Sequence, residues 1–183
     1  MQKTDAVSNV APVENGGPNL EVMVEGEGLG EVDVVRIPEG SPAREIVLAV
    51  ASRVGFPAEE ALLFVEDCQE PVDLTVLVVE EGVSGKVHHV HRARNIEVAL
   101  FYQGRQIEKR FAPSTRVQRV LDWAVSPAGF NIDAAIAPEM ELALHGDTTA
   151  LPKNAHLGRY VRHPGHELTF DLIRGVVPNG ASA

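Results

Sequence analysis

Hydrophobic and polar residues alternate along two separate stretches of the chain, and the same order of elements follows each stretch. In residues 19–26 every second side chain is apolar, which predicts a half-buried β-strand. The apolar positions are Leu20, Val22 and Val24, and the positions between them are Glu21, Met23 and Glu25. A glycine-rich turn and a second strand over residues 32–37 then predict a β-hairpin.

A helix is predicted after this hairpin. Ser41-Pro42 has the composition of a helix start, because Ser can cap a free backbone N–H and Pro at the first helical position has none. Gly55 is expected to end the helix. The apolar residues between these signals recur at helical spacing and are expected to face a core. They are Ile46, Val47, Val50 and Val54.

The second half of the chain repeats this order. Residues 95–102 alternate, Gln103-Gly104 is expected to turn the chain, and residues 106–111 form the returning strand. Ser114 or Thr115 is expected to cap a second helix, which Gly129-Phe130 ends. Several paired positions are separated by the same 74 residues, which indicates a duplicated domain. The pairs are Val24 with Val98, Gly30 with Gly104, Ser41 with Thr115, Gly55 with Gly129, and Phe56 with Phe130.

Each copy continues with a short apolar strand and a closing strand. The short strands are predicted at 62–66 and 140–145, and the closing strands at 86–92 and 167–174. This order implies an α+β fold in which one helix packs across a mixed sheet and the closing strand lies beside the first strand. Residues 90–95 lack the composition of a flexible linker, so we expect restricted motion between the two domains.

Composition argues against several classes of function. The net charge of −10 argues against nucleic acid as a partner, and no apolar run is long enough for a membrane span. Residues 1–18 are predicted to be a disordered leader without the apolar region of a signal peptide, and a cytoplasmic location follows. One cysteine, Cys68, excludes an intramolecular disulfide framework and an iron–sulfur centre of the plant ferredoxin type.

The two copies resemble ubiquitin in the order of their elements, which implies two tandem β-grasp, ubiquitin-like domains over 19–92 and 93–175. Among tandem ubiquitin-like modifiers, the chain is most similar to the bacterial BilA type, and it also resembles the vertebrate interferon-induced modifier. The resemblance implies a modifier that is not an enzyme and that has no cofactor. Its implied partners are a ubiquitin-activating-like enzyme, a ubiquitin-conjugating-like enzyme, a deconjugating protease and a target protein. In bacterial antiphage defence, that target would be a phage structural protein.

Such modifiers are conjugated through a C-terminal glycine, and residues 176–183 are predicted to be a flexible tail. The chain has no diglycine there, and the nearest equivalent is Gly180. The resemblance implies that a protease cleaves between Gly180 and Ala181, and that Arg174, Gly175 and Asn179 belong to the part of the tail that partner enzymes recognise. Two alternatives remain open: a tandem adaptor that is never conjugated, and a sulfur carrier.

Two further groups of residues are candidates for binding. His89 and His91 point to one face of a strand and His88 to the other, so the first two could share a metal ion. No further ligand can be placed near them from the sequence, so a solvated or interdomain strand face is favoured and no metal site is predicted. In the second domain, alternation places Ala99, Phe101 and Ile173 on the outer face of the sheet. They form either an interaction patch or a contact with the first domain.

Overall fold

The structure, a computed structural model, describes residues 18–175, and these form two four-stranded sheets in succession. The strands of the first sheet are β1 (Asn19–Gly26), β2 (Asp33–Pro38), β3 (Leu62–Val65) and β4 (Val87–His91). Those of the second are β5 (Ile96–Tyr102), β6 (Arg105–Phe111), β7 (Met140–Leu144) and β8 (Glu167–Arg174). The α-helices are α1 (Arg44–Val54), α2 (Glu80–Val83) and α3 (Val117–Val125), and 3₁₀ turns lie at Ala58–Glu60, Ala137–Glu139 and Leu157–Arg159.

Both sheets have the same topology. The strand orders are β2-β1-β4-β3 and β6-β5-β8-β7, and the two central strands of each sheet are parallel to one another. The outer strands pair antiparallel with their neighbours. The closing strand therefore lies beside the first strand in each copy, as predicted. This arrangement, with a helix packed on one face, is a β-grasp fold that occurs twice in tandem.

The core of each domain lies between its long helix and the inner face of its sheet. In the first domain, all four predicted apolar positions of α1 are buried against the inner side chains of β1 and β4, such as Val22 and Val90. In the second domain, β8 alternates as predicted, so Leu168, Phe170 and Leu172 are buried. None of the helices within residues 18–175 is both long and apolar enough to cross a membrane.

The predicted helix caps were wrong. Helix α1 begins after Ala43 and α3 after Arg116, and neither has a side-chain cap. The hydroxyl groups have other partners: Ser114 Oγ donates to the carbonyl of Cys68 at 3.0 Å, and Thr115 Oγ1 accepts from Gln69 Nε2 at 3.1 Å. These two bonds join the second domain to the first, so contact between the domains has replaced capping.

The paired glycines also differ in what they do. Gly55 ends α1 in the left-handed region, with φ of 79°, as predicted. Helix α3, which is the helix predicted to end at Gly129-Phe130, instead ends at Val125. A Cβ at Gly129 would lie 2.4 Å from the carbonyl oxygens of Trp123 and Ala124, so this glycine permits a close approach of backbone.

The two hairpins have different lengths. In the second domain Gln103-Gly104 forms a two-residue turn, with φ of 49° and 76°, as a type I′ turn requires. In the first domain, six residues from Glu27 to Val32 connect β1 to β2. This longer connection extends to the second domain, since the carbonyl of Gly30 accepts a hydrogen bond from Arg159 Nη2 at 3.1 Å.

Candidate functional site

The chain leaves the second domain at the end of β8, where Glu139 holds the last described residues. Arg174 Nε and Nη2 each lie 2.5 Å from Glu139 Oε2, and the N–H of Gly175 donates to the carbonyl of Glu139 at 2.7 Å. A Cβ at Gly175 would lie 2.9 Å from Glu141 Cδ. The backbone is therefore fixed as far as Gly175. Gly180, Ala181 and Asn179, the other predicted tail residues, lie outside the described residues.

The predicted patch lies on the outer face of the second sheet. Ala99, Phe101 and Ile173 alternate with buried neighbours and are themselves half-buried. The face is not purely apolar there, because His145 Nδ1 lies 2.9 Å from Asp171 Oδ1. The centroid of the His145 ring lies 5.0 Å from that of Phe101, with the two rings tilted by 32°.

The corresponding outer face of the first sheet is covered by the second domain, and Glu27 is one centre of this contact. Only 3% of the Glu27 side chain is exposed. Its carboxylate accepts from Arg92 Nη2 at 2.6 Å and from the N–H of His163 at 2.8 Å. These bonds join the residue that follows β1 to Arg92, at the end of the first domain, and to the second domain. Burial alone would raise the pKa of Glu27, but these hydrogen bonds and the nearby His91 outweigh it and lower the pKa from 4.5 to about 2.

A second buried centre contains two imidazoles and two carboxylates. His156, from the second domain, lies with Nδ1 2.9 Å from Glu25 Oε2 and Nε2 3.2 Å from Glu66 Oε1. The Nδ1 atom of His89 is 3.3 Å from Nδ1 of His156. Burial lowers the pKa of His89 well below its usual range. Burial also acts to lower the pKa of His156, but the two carboxylates outweigh it and raise that pKa.

A loop that follows β3 forms the third part of the contact. Asp67 accepts from the N–H and the Nε of Arg116, at 2.9 and 2.7 Å. Gln69 Oε1 accepts from the buried N–H of Ala112 at 3.1 Å. Together with the Glu27 and His156 centres, these bonds form what we call the interdomain joint. Because it fixes one domain against the other, the point at which the tail leaves is also fixed relative to the first domain.

The structure thus decides between a solvated and an interdomain face for the histidines of β4. His89 and His91 face the second domain and are buried, while His88 faces the opposite side of β4, so the interdomain alternative is correct. The carboxylates of the joint were not predicted from the sequence. Glu25 occupies a polar position of β1, between the apolar ones, but it is 3% exposed because His156 and Arg159 cover it.

The second domain is similar to a known protein family. A family model described as BilA ubiquitin-like domain 2 matches residues 97–175. No curated protein matches the chain.

Two solved ubiquitin-like structures are similar to parts of the chain. One is the N-terminal ubiquitin-like domain of the 4931431F19Rik protein, at 15% identity and a TM-score of 0.34, covering 48% of this chain and 88% of that one. The other is ubiquitin from Caldiarchaeum subterraneum, at 18% identity and a TM-score of 0.34, covering 46% of this chain and 98% of that one.

The family match and the topology agree. The matched segment begins one residue inside β5 and ends at Gly175, directly after β8, so it spans the second sheet apart from Ile96. The first domain has the same strand order. Residues 97–175 of this chain are therefore similar to BilA ubiquitin-like domain 2, and they form the second of two tandem β-grasp domains.

Proposed function

We propose that this protein is a ubiquitin-like modifier that partner enzymes join, through the carboxylate of Gly180, to amines of target proteins. The observation that carries the proposal is the match of residues 97–175 to BilA ubiquitin-like domain 2 on a tandem β-grasp body. We extend it to the setting of that family: bacterial antiphage defence, in the cytoplasm, with phage structural proteins as targets. The domain limits of 19–92 and 93–175, the leader over 1–18 and the tail over 176–183 are part of the same proposal.

The reaction has five steps, and the chain supplies the carboxylate. A protease hydrolyses the peptide bond between Gly180 and Ala181, consuming one water. An activating enzyme then joins the new carboxylate to the AMP of ATP and releases pyrophosphate. A cysteine thiolate of that enzyme displaces AMP to give a thioester, which is passed to the conjugating enzyme by thiol exchange. An amine of the target finally attacks the thioester carbonyl, which forms an isopeptide bond and releases the thiol.

The described residues determine where this carboxylate can reach. The backbone is fixed as far as Gly175, and Gly180 is the fifth residue after it. Five residues span at most about 17 Å when extended, so the reacting carbon must meet an enzyme cleft within that distance of Gly175. Glycine suits a narrow cleft because it has no Cβ. We assign recognition of this segment to Arg174, Gly175 and Asn179.

A docking surface for partner enzymes completes the proposal. Ala99, Phe101 and Ile173 share the outer face of the second sheet and are accessible beside the Asp171–His145 pair. None of the hydrogen bonds of the interdomain joint comes from these three residues. An apolar group with a charged rim matches the composition of transient protein interfaces.

Co-expression with the partner enzymes and protease tests the tail assignment. Intact mass should show loss of all residues after Gly180, and covalent adducts to other proteins should appear. Gly180→Leu should abolish the adducts. The matched control is Gly146→Asn, an exposed glycine with φ of 80° and open space around its Cα, where Asn is tolerated and adducts should persist.

The outcomes separate the alternatives. A chain ended at Gly180 should form adducts without the protease. Adducts that persist in Gly180→Leu, or processing at another bond, would overturn the assignment of Gly180. A thiocarboxylate in place of an isopeptide product indicates a sulfur carrier, and partner binding without any covalent product indicates an adaptor; either result rejects the modifier.

A further inference from the structure

The interdomain joint contains three potential metal ligands from two domains, buried together. They are Glu25 of β1, His89 of β4 and His156 of the second domain, and their side chains are 4%, 0% and 1% exposed. One oxygen or nitrogen atom from each lies within 4.8 Å of the others. His91, the partner of His89 in the sequence-based alternative, bonds instead to the carbonyl of Val161.

Protons alone do not satisfy this cluster. The Nδ1 of His156 is 2.9 Å from a Glu25 oxygen, so it must donate there and has no lone pair for His89. The Nδ1 of His89, 3.3 Å away, must then be the unprotonated nitrogen, which places the proton of His89 on Nε2. The lone pair of His89 Nδ1 therefore faces a proton that Glu25 already accepts. The buried Nε2, which has no hydrogen-bond partner among the described residues, keeps its proton with or without a cation on Nδ1.

The other oxygen of Glu25 is ion-paired. Its Oε1 lies 2.9 Å from Arg159 Nε, although this contact lacks hydrogen-bond geometry. The lone pair of His89 Nδ1 remains without a donor of its own, and an ion is one of the recognised explanations for a buried polar atom without a partner. A cation in place of the proton on His156 Nδ1 would lie among one nitrogen of each imidazole and a carboxylate oxygen.

The distances suit a small transition-metal ion. Bonds of about 2.0–2.1 Å in a tetrahedral site place neighbouring ligand atoms about 3.3–3.4 Å apart. The separations of 3.3 Å between the two Nδ1 atoms and 2.9 Å between His156 and Glu25 approach this value. Glu66 lies 3.2 Å from His156 Nε2, where it would orient a metal-bound imidazole from the opposite nitrogen.

We propose that Glu25, His89 and His156 form a binding site for a zinc-class divalent ion between the two domains. The site already stabilises positive charge, since the two carboxylates outweigh Arg159 around His156. Because the ligands come from both domains, the ion would tie one domain to the other. It belongs to the structure of the joint, and the chemistry of the tail does not depend on it.

The test uses the full chain, freed of metal by a chelator. Isothermal titration with Zn²⁺ should give one site per chain, and Co²⁺ should give the visible absorption of a four-coordinate ion. His89→Gln and His156→Gln should abolish this site, and Glu66→Gln should weaken zinc binding about 10–100-fold. His88→Gln is the matched control, because His88 is buried on the same strand but faces the opposite side.

A second variant keeps the test independent of folding defects. His89→Cys exchanges one ligand for another, so the Co²⁺ complex should gain a thiolate charge-transfer band that the parent lacks. The parent already contains the exposed Cys68, which controls for adventitious thiol binding. The proposal is overturned if the parent chain binds no zinc, if His89→Gln and His156→Gln bind it equally well, or if His89→Cys shows no such band.

Discussion

Replacement of Glu27 by glutamine removes one charge from the joint and keeps the shape of the side chain. The parent carboxylate has four acceptor positions and receives bonds from Arg92 and from the N–H of His163. In the variant, an amide NH₂ takes the place of one oxygen and faces one of these donors. The guanidinium of Arg92 also loses its close counter-charge, although Glu60 Oε2 lies 3.6 Å from Arg92 Nη1.

The expected cost follows from the pKa of Glu27. That pKa is lowered from 4.5 to about 2 on folding, and each pH unit corresponds to about 1.4 kcal/mol, which gives about 3 kcal/mol at neutral pH. This agrees with the cost of breaking a buried ion pair, about 3–5 kcal/mol. Because the folded pKa is the lower one, the contribution is complete above pH 4.5 and is lost as the pH falls towards 2.

Urea unfolding at several pH values measures both the size and the pH dependence of the effect. Glu27→Gln should be about 3 kcal/mol less stable than the parent at pH 7, and the difference should fall to about half near pH 3. Glu21→Gln is the control, since Glu21 is 63% exposed and its pair with Arg36 should contribute less than about 1 kcal/mol. A Glu27→Gln deficit under about 0.5 kcal/mol, or one that stays constant with pH, would refute the reasoning.

Three other substitutions are expected to lower the urea midpoint. Gly158→Ala places a Cβ 2.1 Å from His89 Nε2 and should lower the free energy of unfolding by about 1–3 kcal/mol. Gly30→Ala is the control, because a Cβ there has open space and should cost less than about 0.5 kcal/mol. Equal effects of the two substitutions would contradict the close contact at Gly158. Gln69→Ala leaves the buried N–H of Ala112 without its acceptor and should lower the free energy of unfolding by about 1–3 kcal/mol. An unchanged urea midpoint would show that water replaces the Gln69 side chain as acceptor. Phe170→Ala empties the second core and should cost about 3–5 kcal/mol, so native-like stability would be inconsistent with its full burial.

Much of the fold could be predicted from the sequence because its signals are local. Alternation over 19–26 and 167–174 gave both strands with their observed bounds, since one face of each strand packs on a core. The buried positions of α1 follow from helical spacing. The cap predictions failed for a non-local reason: Ser114 and Thr115 have the right composition for capping, but partners in the first domain hold their hydroxyl groups.

The joint could not be predicted in the same way. Glu25 and Glu27 follow β1's alternation like any exposed carboxylates, and their partners His156 and His163 lie more than 130 residues further along the chain. No periodicity links positions so distant. The cluster of His88, His89 and His91 was the one local signal, because three imidazoles on a closing strand are unusual for a solvated face. These histidines indicated which strand takes part in the joint, but not which residues of the second domain contact it.

The difference between the two hairpins gives the outer faces of the two sheets different chemistry. The joint is a head-to-tail contact, and such contacts repeat indefinitely when every unit carries both complementary surfaces. The second domain lacks the first domain's half: its hairpin is a two-residue turn, and the 74-residue offset places Ala99 and Phe101 where Glu25 and Glu27 stand. A third copy would find no acidic centre to dock on. The outer face of the second sheet therefore cannot form the same joint a second time.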